Sequence, residues 1–146
     1  MSIRIHDAQA ADIQEIVALI GEFAMESKEA SPITASFVQR YLESSREHLL
    51  LAEWDSRAAG LLSYSLRLDL WHAGPCCLIT QLFVRQPYRG KGIGSEMINH
   101  MLRKAEAEGY REISLTVEKE NIRAKALYRR LGINEEVVGL EKHLAS

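Results

Sequence analysis

Three glycines lie within five positions in the stretch FVRQPYRGKGIGSEMINHML, where an apolar run gives way to a helical pattern. Gly90, Gly92 and Gly94 stand beside two cations, Arg89 and Lys91. The first N–H groups of a helix have no intrahelical acceptor, and the helix dipole adds partial positive charge there. A phosphate or diphosphate is the anion that such a helix start favours. The alternative is that the glycines only supply left-handed backbone angles at a turn.

Two common phosphate-binding motifs do not fit this stretch. The Walker pattern needs four residues between its first glycine and a Gly-Lys pair that is followed by Ser or Thr, and the chain lacks it. The spacing G-x-G-x-G also differs from the dinucleotide fingerprint G-x-G-x-x-G. A dinucleotide fold would further need more alternating strands and helices than this chain supplies. Both nucleotide folds are therefore disfavoured.

Composition and charge are those of an ordinary globular protein. The 146 residues are 47% hydrophobic and 26% charged, which predicts a single domain over 1–146. A formal net charge of −2 argues against nucleic acid as a partner. Cys76 and Cys77 are adjacent and match neither disulfide nor zinc-finger spacing, so we expect no metal. Without a signal-peptide pattern or a long apolar run, we expect a cytoplasmic protein with no membrane partner.

Hydrophobic periodicity predicts the element order β α α β β β α β α. Alternation indicates strands in SIRIH, HLLLAEW, RAAGLLSYSLRL, CCLITQLFV and EISLTV, whereas helical spacing follows Asp12, Thr34, the glycine stretch and Asn121. This order predicts an α/β (α+β) fold with a mixed sheet. The unit from Cys77 to Val117 is expected to be a right-handed βαβ crossover.

Two motifs together resemble the GNAT (Gcn5-related) N-acetyltransferase superfamily. Arg89-x-x-Gly92-x-Gly94, preceded by LFVRQPY, is similar to the acetyl-CoA pyrophosphate loop of that family. The segment NIRAKALYRRLG is similar to its Asn-x-x-Ala-x-x-x-Tyr-x-x-x-Gly pattern. The element order fits over nearly the full chain. The resemblance implies a GNAT fold with about six or seven strands, about four helices and splayed parallel strands at the acetyl-CoA site.

The resemblance implies an acetyl-CoA-dependent N-acetyltransferase for a primary amine, with a small molecule such as a polyamine as the favoured acceptor. A protein or peptide N-acetyltransferase and a non-catalytic acetyl-CoA-binding regulatory module are the alternatives, and a homodimer is compatible with the resemblance. The backbone of Leu82, Phe83 and Val84 would lie along the pantetheine arm, with one N–H near the thioester oxygen. The implied cofactor contacts are Leu82, Phe83, Val84, Arg89, Gly90, Lys91, Gly92, Ile93, Gly94, Ser95, Asn121, Ala124 and Tyr128.

Tyr128 is the implied general acid for the CoA thiolate. From the residues alone, it could equally be a core tyrosine bonded to a carbonyl, and Asn121 could cap its helix or bond the pantetheine. Small-amine members of the family often carry a carboxylate just before the LFV triplet, where this chain has Thr80 and Gln81. The base is therefore open among Glu22, Glu26, Asp69, His72 and bulk water.

For the acceptor, Glu22 and Glu26 lie four apart on one helical face. That segment resembles the first helix of diamine-type acetyltransferases, so both carboxylates, together with His72, are predicted to contact a cationic acceptor. A solvated helix face is the alternative. Fourteen residues follow Gly132, and Ile133 replaces the aromatic residue common there, so a closing hairpin must be short.

Overall fold

Five strands and four α-helices follow one another in the predicted order in a computed structural model, which describes residues 2–144. Two single-turn 3-10 helices lie at Ala10–Asp12 and Gln86–Tyr88. The main elements are β1 (Ile3–Asp7), α1 (Ile13–Glu26), α2 (Ala35–Glu43), β2 (Glu47–Trp54), β3 (Arg57–Asp69), β4 (Gly74–Val84), α3 (Ile93–Glu108), β5 (Glu112–Leu115) and α4 (Ile122–Arg130).

The strands form one mixed sheet in the order β1-β2-β3-β4-β5. The first four strands are antiparallel to their neighbours, whereas β4 and β5 are parallel. Helix α3 connects the two parallel strands, which confirms the predicted βαβ unit, while its right-handedness stays a prediction. The mixed α/β fold predicted from the sequence is thereby confirmed.

The number of strands is smaller than the six or seven that the family resemblance implied. Residues 133–144 form no strand, and Val137, Val138 and Leu140 are 84%, 89% and 94% exposed. Polar contacts hold this segment to α4 instead: Glu136 accepts from Arg129 and lies 3.3 Å from Lys125 Nζ. An exposed segment without a ladder of backbone hydrogen bonds does not extend a sheet.

Contacts divide the chain into two units, Met1–Thr116 and Val117–Ser146. The sheet and α1 to α3 belong to the first unit, and α4 belongs to the second.

Both faces of the sheet are covered within the first unit. On one face, α1 and α2 pack on inward-facing side chains that include Leu49, Leu51 and Phe83. Helix α3 contacts β3, β4 and β5, and its side chains Ile93, Met97, Ile98 and Met101 are buried. Burial of both faces explains the nearly continuous apolar runs of β2 and β3.

Gly60 on β3 lies where β4 and α3 leave no room for a side chain, and it generates a stability prediction. A Cβ at this position would lie 2.6 Å from Phe83 O and 3.2 Å from Met97 Cε. Because a backbone oxygen cannot move aside cheaply, Gly60→Ala should lower the free energy of unfolding by about 1–3 kcal/mol. Urea denaturation followed by circular dichroism measures the change.

The matched control is Gly21→Ala in α1, where an added Cβ meets nothing within 4 Å. Alanine favours a helix interior over glycine, so this variant should be more stable by about 0.5–1 kcal/mol. Equal effects of the two substitutions would contradict the packing described for β3 and α3.

Candidate active site

Strand β4 carries a bulge at Thr80. Its register with β3 pairs Tyr64 with Ile79 and then Ser63 with Gln81, which leaves Thr80 as the extra residue. The parallel pairing of β4 with β5 ends at Ile79. Pairing with β3 continues to Val84, so beyond the bulge β4 is bonded to a neighbouring strand on one edge only. A bulge bends its strand and disrupts the ladder, and the predicted splaying of the parallel strands is confirmed here.

The side chains at the bulge satisfy one another and offer no base. The buried Ser63 hydroxyl lies 2.7 Å from Thr80 Oγ1 and donates to Gln81 Oε1. The Tyr41 side chain from α2 lies beside Ser63 and Thr80. Its hydroxyl donates to the His48 carbonyl at 3.1 Å. Burial raises the pKa of Tyr41 to about 12, so its phenol stays protonated at neutral pH. The sequence analysis did not identify Tyr41 as a residue of this site.

The glycine stretch divides into two kinds of position. Gly90 and Gly92 have φ of +78° and +84°, so the left-handed turn that was the alternative explanation applies to both. Gly94 lies in the first turn of α3, outside the left-handed region, and an added Cβ would meet only Val84 Cγ2, at 3.9 Å. Neither backbone strain nor protein packing therefore requires glycine at position 94.

The start of α3 presents free backbone donors. Gly92 at the N-cap position supplies no capping side chain, and the first backbone bond of the helix runs from Glu96 N to Gly92 O at 3.0 Å. The amides of Ile93, Gly94 and Ser95 precede that bond and have no intrahelical acceptor. This end of α3 lies next to Val84, where the one-sided part of β4 ends.

Both cations of the loop contact protein groups. The Arg89 guanidinium lies 5.6 Å from the centre of the Phe83 ring; its Nε donates to Val84 O at 2.8 Å, and its Nη2 donates to both Glu26 oxygens at 2.7 and 2.8 Å. Lys91 Nζ lies 5.0 Å from the centre of the Trp54 ring. In this arrangement Glu26 and Val84 occupy Arg89, whereas the backbone amides and the Lys91 ammonium group keep donors open to an anion.

A second arginine joins the end of β4 to α1. Arg85 donates to Glu22 through Nε at 3.1 Å and through Nη2 at 2.8 Å, while its Nη1 lies 2.6 Å from Glu15 Oε1. When the Glu26–Arg89 pair is included, each of the three carboxylates on α1 contacts one of two arginines. Sequence analysis missed the pairing, although Glu22 and Glu26, like Arg85 and Arg89, are spaced four residues apart.

His72 does not lie near the glycine loop. It occupies the turn between β3 and β4, where its Nδ1 is 2.7 Å from Asp69 Oδ2. Strand β4 runs from this turn to Val84, and at about 3.3 Å per residue Leu82 is about 25 Å from Gly74. The structure therefore separates His72 and Asp69 from the other candidate residues, because the hairpin turn and the loop lie at opposite ends of one strand.

In the second unit, the motif residues lie on α4. The Asn121 side chain accepts from Ala124 N at 3.1 Å, so it caps this helix. Burial raises the pKa of Tyr128 above its ordinary value, which keeps its phenol protonated at neutral pH. The Tyr128 carbonyl accepts from Ile133 N at 2.9 Å and closes the helix.

A model of the acetyltransferase (GNAT) family matches residues 13–133. The chain belongs to this family. The match includes the bulged strand, the glycine loop and α4, as the resemblance of the two motifs predicted. Among the helices of residues 2–144, none combines the length and the apolar character that crossing a bilayer requires.

The chain is similar in sequence to named acetyltransferases. The chain is 43% identical over 54 residues to the N-alpha-acetyltransferase MAK3 of Arabidopsis thaliana, a match that covers 37% of this chain but only 28% of the plant protein. It is 28% identical over 145 residues to the thialysine N-epsilon-acetyltransferase of Bos taurus, covering 91% of this chain and 85% of that one.

Solved structures share the fold. An aminoglycoside acetyltransferase from an uncultured soil metagenomic sample, solved in complex with trehalose, superimposes with a TM-score of 0.84 at 21% identity. The superposition covers 98% of this chain and 97% of that one.

The contrast between Gly92 and Gly94 generates a second stability prediction. Gly92→Ala places an L-residue at φ +84° and should lower the free energy of unfolding by about 1–2 kcal/mol. Gly94→Ala removes a poor helix former without a clash and should raise it by a few tenths to about 1 kcal/mol. Chemical denaturation of both variants measures the difference, and a stabilising Gly92→Ala would contradict the loop conformation.

Proposed function

We propose that this chain is an acetyl-CoA-dependent N-acetyltransferase that acetylates a primary amine. The observation that carries the proposal is the one-sided segment of β4 from Gln81 to Val84, which ends beside the uncapped start of α3. An extended polar arm can pair with a strand edge as another strand would. A diphosphate at the end of that arm would then meet the amides of Ile93, Gly94 and Ser95.

The residues fit this substrate in one further respect. Pairing with a strand edge uses only backbone groups, so Phe83 can keep its side chain in the core while its backbone binds the arm. At Gly94 the missing Cβ leaves space that no protein atom fills closely. We propose Leu82, Val84 and the loop from Arg89 to Ser95 as the remaining contacts in the first unit, and Asn121, Ala124 and Tyr128 in the second.

Acetyl transfer requires a neutral amine, a donor for the oxyanion and a proton for the departing thiolate. The amine nitrogen attacks the thioester carbon, and we propose that one free N–H of the β4 edge bonds the oxygen as it gains charge. The carbon–sulfur bond then breaks, and Tyr128 gives its proton to the sulfur. The acylated nitrogen loses its extra proton to water, and water returns a proton to the Tyr128 phenolate. A raised pKa supports this role because the phenol is protonated before the step.

No ionisable side chain at the bulge is suited to deprotonate the amine. Thr80 and Gln81 hydrogen-bond to Ser63, and the phenol of Tyr41 is itself protonated. We propose that the acceptor loses its proton to water before it reacts. The rate should accordingly rise with pH until the acceptor amine itself has titrated.

For the acceptor, we propose a small cationic amine such as a polyamine, positioned by the acidic face of α1. Glu15, Glu22 and Glu26 carry three negative charges against the two positive charges of Arg85 and Arg89, so this group of ion pairs has one carboxylate in excess. A protein N-terminus is the second candidate, since the MAK3 relative is named as an N-alpha-acetyltransferase.

Release of CoA from acetyl-CoA across a panel of polyamines, aminoglycosides, thialysine and N-terminal peptides tests the function. We expect amine-dependent release that is strongest with a small polycation. Activity confined to peptides would favour the second candidate. Binding of acetyl-CoA without release for any amine would support the non-catalytic module instead.

Removal of the Tyr128 hydroxyl tests the proposed acid. Tyr128→Phe keeps the ring and its packing, and loss of a general acid should reduce kcat by about a hundredfold or more. Thermal stability and the affinity for acetyl-CoA should stay the same. Tyr110→Phe is the matched control, because the buried Tyr110 hydroxyl has no hydrogen-bond partner among the described residues. A kcat within about threefold of the parent would assign the proton to another donor.

The two α1 carboxylates should differ in their effect on acetyl-CoA. Glu26→Gln releases Arg89 for the diphosphate and should tighten acetyl-CoA binding severalfold, whereas Glu22→Gln releases only Arg85 and should leave it unchanged. If both line the acceptor site, each substitution raises the acceptor KM, and the penalty shrinks as salt rises because charge attraction is screened. Titration calorimetry and steady-state kinetics at two salt concentrations measure these effects.

Identical acetyl-CoA affinities in the two variants would contradict a role for the Glu26–Arg89 pair. An acceptor KM that is unchanged in both variants would mean that Glu22 and Glu26 have a purely structural role.

A further inference from the structure

The turn between β3 and β4 brings together three side chains of the types that bind transition metals. One ligand atom each from Asp69, His72 and Cys76 lies within 4.8 Å of the other two. Asp69 ends β3, His72 lies in the turn, and Cys76 is the third residue of β4. This group, the hairpin cluster, lies at the opposite end of β4 from the glycine loop.

The carboxylate and the imidazole are already held in place. Asp69 Oδ2 accepts from the backbone N–H of His72 at 2.9 Å and lies 2.7 Å from its Nδ1. Tetrahedral zinc with ordinary bond lengths holds O, N and S ligand atoms about 3.3–3.6 Å apart. The observed separations, from 2.7 to at most 4.8 Å, bracket that range. Small torsional changes of the Asp69, His72 and Cys76 side chains would bring all three atoms to one ion.

Only one of the two adjacent cysteines can take part. Successive side chains of a strand point to opposite faces, so Cys77 projects away from the hairpin cluster. Both cysteines are buried: the exposed fraction is 2% for Cys76 and 1% for Cys77. Cys76 thus presents its sulfur to the side of the sheet on which Asp69 and His72 lie.

A second carboxylate lies next to the hairpin cluster. Glu112 opens β5 and is the register partner of Cys76 in the parallel pairing. Its Oε2 lies 3.6 Å from His72 Nε2. Glu112 can therefore orient the imidazole from its Nε2 side while Nδ1 faces the ion, and a water molecule can take the fourth coordination position.

We propose that Asp69, His72 and Cys76 bind a zinc ion that braces the β3–β4 hairpin. A set of one sulfur, one imidazole nitrogen and one carboxylate oxygen suits zinc, whereas magnesium and calcium prefer oxygen ligands alone. The ion links two strands at a turn whose tip exposes Leu70 and Trp71 almost completely. The adjacent cysteines do not have zinc-finger spacing, and the hairpin cluster is formed instead by the spacing D-x-x-H-x-x-x-C.

Cobalt(II) titration of tag-free, chelator-treated protein tests the site, since cobalt replaces zinc and reports thiolate ligation by optical absorption. We expect a near-ultraviolet thiolate-to-cobalt band that saturates at one equivalent and is lost when zinc is added. Cys76→Ser should abolish the band, and His72→Asn should weaken cobalt binding by at least about tenfold. Cys77→Ala is the matched control and should keep the band.

Absence of the band from the parent protein would overturn the proposal, as would its persistence in Cys76→Ser. His72 is exposed, so His72→Asn should fold even if a cysteine variant does not. Unchanged cobalt affinity in that variant would also exclude the site. None of these outcomes bears on acetyl transfer, because the readout is metal binding alone.

Discussion

The bulge at Thr80 determines where β4 changes from a strand paired on both sides to one paired on a single side. Up to Ile79 it is bonded to β3 and β5, and beyond the bulge it is bonded to β3 alone. Ser63 fixes the bulge through hydrogen bonds to Thr80 and Gln81. An unpaired strand edge is normally a liability in a folded protein. Here the edge is short, and it ends where the backbone donors of α3 begin.

The glycine loop depends on this edge and on the ion pairs that join it to α1. Arg85 and Arg89 follow β4 directly and bond to Glu22 and Glu26, while Arg89 also bonds to the Val84 carbonyl. These contacts hold the loop against α1 and the end of β4 without using the loop amides. Anion binding by the loop therefore depends on the backbone amides and the helix dipole. An anion and Glu26 compete for the Arg89 side chain.

The element order followed from the sequence because apolar side chains recur at strand or helix spacing along nearly the whole chain. The bulge could not be predicted in the same way, because register depends on the partner strand, and Thr80 resembles any other strand residue. Nor could spacing separate Gly90 and Gly92, which have positive φ, from Gly94, which does not. The distance between His72 and the loop could have been inferred from the sequence, because the predicted strand CCLITQLFV lies between them.

The central claim is that the start of α3 and the free edge of β4 hold acetyl-CoA. Titration calorimetry of acetyl-CoA into the parent protein and into Gly94→Val tests it most directly, with Gly21→Val as the matched helical control. We predict a low-micromolar Kd for the parent and for the control, about −7 to −8 kcal/mol. In Gly94→Val we predict at least a tenfold loss, about 1.4 kcal/mol, while the protein stays folded. An unchanged Kd in folded Gly94→Val would contradict the account.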